Sequence, residues 1–169
     1  MSSTTTAPPE GSAPEYVGFG PRFVAFLLDS LVALIPLSLL AALVLPSLDL
    51  SGIDVNDPAT IRTLLMTLVT RLTFDVIVLA VLVLACWIRF AATPGKMVFR
   101  AAIVDASTLQ PVPPSRLVLR YLGYFPSTIA LGIGFVWIAF DRRKQGWHDK
   151  MAGTVVVRLP SARDQRRPQ

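Results

Sequence analysis

Residues whose side chains could do chemistry are few in this sequence, and most of them lie inside apolar stretches. Asp29 stands alone in an otherwise apolar run, seven residues after Arg22, a spacing that puts both on one helix face about 10 Å apart. Arg71, Asp75, Cys86 and Arg89 follow at helical intervals on one side of a second run, with Arg71 and Asp75 positioned as an i,i+4 pair. Charges at such depths cost about 2.5–3.5 kcal/mol on insertion scales, so each needs a reason. Two chemistries fit. Arg22, Asp29 and Arg89, with Arg120 nearby, would meet as an interhelical polar cluster that fixes register and orientation. Alternatively, Asp29 takes up a proton or cation in a polar cavity, as carboxylates do in transporters.

The densest polar stretch is Asp141-Arg142-Arg143-Lys144-Gln145-Gly146-Trp147-His148-Asp149-Lys150. One histidine beside unspaced carboxylates is a poor metal set, so no metal is expected. Arg142, Arg143, Lys144 and Trp147 instead read as a contact with anionic lipid headgroups. No nucleophile-and-base set, phosphate loop or paired-histidine motif appears, so the chain is read as a non-enzyme without a cofactor. The single Cys86 excludes an intramolecular disulfide.

The elements that must position these groups follow from composition. Of 169 residues, 53% are hydrophobic and 16% charged, with mean hydropathy +0.56, unlike a soluble domain. The expected architecture is an all-α integral membrane protein with three hydrophobic helical segments, about 23–45, 64–88 and 117–140. Asp57-Pro58 reads as the cap and first turn of the second helix. Residues 1–15 read as a disordered tail without a signal peptide, 16–158 as the membrane domain and 159–169 as a basic disordered tail.

The net charge of +5 raises the question of nucleic acid. Its distribution answers it, because the cations flank apolar segments and no aromatic platform or recognition helix accompanies them. If the third segment crosses fully, the positive-inside tendency is violated. If it bends and returns, only Arg62 and Arg71 of the sixteen cations remain outside. Gly123, Pro126, Gly132 and Gly134 suit such a bend. The β-branched runs at 101–104 and 154–157 could then pair as a small cytoplasmic sheet. The expectation is a cell-membrane protein with both termini cytoplasmic; a kinked third span with an external C-terminus is the alternative.

Several ordered motifs carry a resemblance. Gly18-Phe19-Gly20-Pro21-Arg22-Phe23-Val24-Ala25-Phe26-Leu27-Leu28-Asp29, Thr93-Pro94-Gly95-Lys96-Met97, Arg120-Tyr121-Leu122-Gly123-Tyr124 and the stretch from Asp141 to Thr154 together resemble the RDD family of membrane proteins, named for one arginine and two aspartates. The resemblance assigns Arg22 as the arginine, Asp29 as the first aspartate and Asp141 as the second, with Asp149 as the alternative. It implies transport, including cation/proton exchange. Three short segments cannot enclose a path alone, so transport calls for a homo-oligomer or a membrane-protein partner. The competing reading is a non-catalytic scaffold or assembly subunit.

Overall fold

The computed structural model describes residues 14–44, 54 and 56–160. Of the expected tails at 1–15 and 159–169, residues 1–13 and 161–169 lie outside the described residues, as does most of the loop after the first segment. Among the described residues seven helices and two strands run in the order α1 (Phe19–Val44), α2 (Pro58–Phe90), α3 (Pro94–Val98), β1 (Ala101–Asp105), α4 (Pro114–Leu122), α5 (Tyr124–Ile129), α6 (Ile133–Phe140), α7 (Trp147–Ala152) and β2 (Thr154–Arg158). Helices α1 and α2 are long and apolar enough to cross a membrane, at about 39 and 50 Å by their residue count. Helix α2 starts as its sequence signals: the Asp57 carboxylate accepts from the N–H groups of Ala59 and Thr60 and from the Thr60 hydroxyl, and Pro58 occupies the first turn.

The chain divides into two compact units. One holds residues 30–82, the C-terminal part of α1 and the N-terminal part of α2. Its large apolar side chains, among them Leu31, Ile35, Leu39, Leu43, Met66 and Leu72, are exposed all round, as expected of helices that meet lipid rather than a protein core. Thr63, Thr67 and Thr73 return their hydroxyl protons to carbonyls four residues back, which lets polar side chains sit on an apolar helix.

The other unit, residues up to 29 and from 83 onward, is built around the sheet. Strands β1 and β2 pair antiparallel with Ala101 opposite Arg158 and Asp105 opposite Thr154, the pairing that the β-branched runs predict. The free edge of β2 is covered by the segment before α1: Val17 N–H donates to the Val156 carbonyl, Arg158 N–H to the Glu15 carbonyl, and Tyr16 bridges Val157. Strand β2 is therefore central, and Val155, Val156 and Val157 are buried, each worth about 1.5–3 kcal/mol of apolar transfer. Val17, Trp87, Ile103, Leu117 and Val156 continue this core toward the helix ends.

The third apolar segment is bent, as its glycines suggest. The helical stretches 114–129 and 133–140 meet at 102°. Gly132, at φ +81°, supplies the left-handed residue that the corner needs. Because β1 precedes this segment and β2 follows it, strand pairing brings its two flanks together.

Candidate functional site

The polar groups of this second unit converge on Asp149, a residue of the one-and-a-half-turn helix α7. Its carboxylate is wholly buried and fully used. Oδ2 accepts from Arg22 Nη1 at 2.6 Å and from the Gly146 N–H at 3.0 Å, and Oδ1 accepts from Arg120 Nη1 and from the Thr154 hydroxyl at 3.3 Å. Arg120 Nη1 also donates to Thr154 Oγ1 at 2.7 Å, and Arg22 Nε donates to the Val17 carbonyl at 2.9 Å. One carboxylate thus ties α1 to α4, α7 and β2. Burial alone would raise the Asp149 carboxyl, but the Arg120 and Arg22 guanidiniums and the Gly146 N–H hold it well below the usual carboxylate range.

Beside it, His148 Nε2 stands 3.4 Å from Asp149 Oδ2, with its ring edge-on to Tyr124. Burial pushes this imidazole down to about 3, against the pull of Asp149. Between the unfolded value of about 6.5 and that level the unfolded chain binds the extra proton, so acid destabilises the fold. Melting temperature in detergent should hold above pH ~6.5 and fall below it, the unfolding free energy dropping by up to about 1.4 kcal/mol per pH unit from this group alone. The loss should steepen below about 4, where the unfolded chain takes up protons at Asp105, Asp141 and Asp149 while the fold still holds these carboxylates ionised. A His148→Gln chain that kept the whole fall above pH ~4 would contradict this assignment.

Asp29 does not join that cluster. Its Oδ2 accepts from the Thr93 hydroxyl at 2.5 Å and its Oδ1 from the Gly95 N–H at 2.6 Å. Helix α3 is capped from another helix, because Thr93 gives its hydroxyl proton to Asp29 and makes no cap bond of its own. Arg89, the third member of the expected cluster, carries its guanidinium 5.2 Å from the Phe90 ring centroid. Arg22 and Asp29, expected in one cluster, are thus engaged separately: Arg22 pairs with Asp149, which Arg120 also holds, and Asp29 accepts from Thr93 and Gly95.

Asp141 is likewise placed apart from Arg22. It pairs with Lys150 at 2.5 Å and accepts from the N–H groups of Arg143 and Gln145, which shapes the turn into α7. Of the two candidates for the second family aspartate, Asp149 is the one that meets the arginine. Within the neighbouring turn, Arg143 donates to the Ala106 carbonyl and lies over Tyr16, Lys144 Nζ donates to the Ala139 carbonyl at 3.0 Å, Arg142 is exposed and Trp147 is half-buried. Among the described residues no group of three His, Cys, Asp or Glu is arranged to hold a metal.

Asp75, in the first-described unit, differs from the other carboxylates. Its Oδ1 is buried and, among the described residues, meets no donor; the i,i+4 pairing with Arg71 does not form. Arg116 stands in no motif of the sequence, yet it clamps the sheet module by donating to Asp105 and to the carbonyls of Ala152 and Gly153.

An arginine at the head of the first long apolar helix, an aspartate seven residues on and a second aspartate closing on that arginine define a class of helical membrane-domain protein. Residues 16–153 match the RDD family, and the chain belongs to it. A protein of Rickettsia prowazekii (strain Madrid E), named only as uncharacterized, is 36% identical over 84 residues, which cover 50% of this chain and 46% of that protein. The chain therefore spans about half of that relative's length in the match. No solved structure matches.

Proposed function

We propose that this protein is a multi-pass membrane subunit that moves a proton or small cation within an oligomer, with Asp75 as the group that binds it. The observation that carries this reading is the buried, unpartnered Asp75 Oδ1 in the middle of α2. A carboxylate oxygen buried in an apolar segment with no donor among the described residues is either a cost without return or part of a binding group. Asp29 is less suited, since both its oxygens are already held by donors within the chain. The scaffold reading is favoured by the saturation of Asp149 and Asp29, and flux separates the two. In proteoliposomes the wild-type chain should exchange protons for Na⁺ or K⁺, and Asp75→Asn should fall to the protein-free background while keeping its oligomeric state. Absence of wild-type flux across the alkali cations would leave the assembly-subunit reading in its place.

Topology is part of the same reading. Sheet pairing among residues 15–17, β1 and β2 supports placing the stretches before α1, after α2 and after the bent segment on one face. The positive-inside tendency makes that face cytoplasmic and the bent segment re-entrant. In a Cys86→Ala background, an impermeant thiol reagent added outside cells should label Arg62→Cys and spare Gln110→Cys and Arg142→Cys. Labelling of Arg142→Cys together with Arg62→Cys, with Gln110→Cys spared, would indicate a crossing third segment.

A further inference from the structure

Three cationic side chains are buried in the sheet-bearing unit, and the carboxylates among them do not balance the charge. Arg22 and Lys96 are each 8% exposed and Arg120 is 1% exposed. Against them stand Asp149, held by both arginines, and Asp29, whose oxygens are occupied by two uncharged donors. With His148 neutral and Lys96 protonated, three cations and two carboxylates leave one positive charge uncompensated, and burial together with the Arg120 and Arg22 guanidiniums pulls the Lys96 ammonium down to about 7. Among the described residues no carboxylate lies within ion-pair distance of the Lys96 ammonium, which sits 5.2 Å from the centroid of the Trp87 ring. The Arg120 guanidinium lies 5.3 Å from that same centroid, so the indole joins the two cations. Three buried donors on these side chains also lack acceptors among the described residues: Arg22 Nη2, Arg120 Nε and Trp87 Nε1. Unmet donors and unmet positive charge in one cluster both call for an acceptor with several oxygens and a single negative charge.

A phosphate monoanion has that chemistry, and guanidinium and ammonium groups are its usual ligands. Position favours the same choice. Arg22 is in the first turn of α1, Trp87 in the last turn of α2 and Lys96 in the short helix just beyond, so all three stand at the ends of the apolar helices, where headgroups lie. The surface cations Arg143 and Lys144 are different in kind, being exposed or half-exposed and committed to backbone carbonyls of their own chain.

The geometry points to a binding site for one phosphate monoanion, built from Lys96, Arg22, Arg120 and the Trp87 N–H, with the phosphodiester of an anionic phospholipid or inorganic phosphate as its source. Thermal unfolding of the full chain in nonionic detergent tests it, with phosphatidylglycerol, phosphatidylcholine or inorganic phosphate added at matched ionic strength. Phosphatidylglycerol should raise the melting temperature in a saturable way and phosphatidylcholine should not. Lys96→Met, which keeps the packing on Trp87, should weaken the half-saturating concentration about tenfold, the loss of one charged phosphate contact. Trp87→Phe should weaken it less. Equal protection by inorganic phosphate, with the same Lys96→Met loss, supports the site and assigns free phosphate as its source. No saturable effect of either phosphate on wild type overturns the proposal, as does an unchanged response in both Lys96→Met and Trp87→Phe. Should Lys96→Met fail to fold, Trp87→Phe carries the comparison.

Discussion

Asp149→Asn is expected to destabilise the folded chain by about 3–5 kcal/mol, the range for removing one member of a buried ion pair. The substitution keeps the side chain's shape and removes its charge, so Arg22 and Arg120 would remain buried as guanidiniums facing an amide. The one oxygen that asparagine retains can keep either the Gly146 N–H at the start of α7 or the Thr154 hydroxyl at the start of β2, not both, so the sheet module would feel the change. Asp141→Asn supplies the contrast. Its partner Lys150 is nearly half exposed, and surface pairs of that kind are worth about 0–1 kcal/mol. Thermal unfolding of the two variants in the same detergent separates them, and equal losses would contradict the central role of Asp149. Removing one cation tests the lock from the other side: Arg120→Gln should cost less than Asp149→Asn, because Arg22 remains to partner the carboxylate.

What the sequence made legible, and what it hid, follows from the range of the forces involved. Hydropathy is a local property summed over a window, so α1 and α2 could be read directly, as could the Asp57-Pro58 start of α2. The two valine- and isoleucine-rich runs could be paired because the antiparallel arrangement needs only short β-branched segments on a common side. The ionic connections could not be read, because helical spacing says which residues share a face but not what crosses to it from elsewhere. Arg22 and Asp29 are seven residues apart on α1, yet each meets a group more than sixty residues away in sequence. Asp141 and Asp149 are both flanked by cations, and only the fold of the turn into α7 decides that Asp149 is buried and Asp141 is not. The Asp29 contact does leave a trace in the sequence. Thr93-Pro94-Gly95 announces a helix start with proline in the first turn. A start whose threonine serves as a donor leaves the amides to be capped by a carboxylate from another segment, which is the role Asp29 fills.

Gly95→Ala should be the second most damaging single change, at about 3 kcal/mol or more, the upper part of the overpacking range. A β-carbon at Gly95 would fall on the Ala25 carbonyl, which is helix backbone and has no rotamer to yield, and would stand 3.0 Å from Asp29 Cγ. Helix α3 would have to move away from α1, and the Gly95 N–H would leave the Asp29 carboxylate it now meets at 2.6 Å. Asp29→Asn loses less, since the amide oxygen can still accept from Gly95 or Thr93; about 1–2 kcal/mol is expected, the cost of weakening charged hydrogen bonds. Gly20→Ala is the control, because nothing lies within 4 Å of the added methyl and alanine gains roughly 0.5–1 kcal/mol over glycine within a helix. The ordering of melting temperatures, Gly20→Ala at or above wild type, then Asp29→Asn, then Gly95→Ala, would show that close approach of the two backbones governs the stability of this contact. An Asp29→Asn chain less stable than Gly95→Ala would instead show that the Asp29 charge governs it, and would return Asp29 to consideration as an ion-binding group.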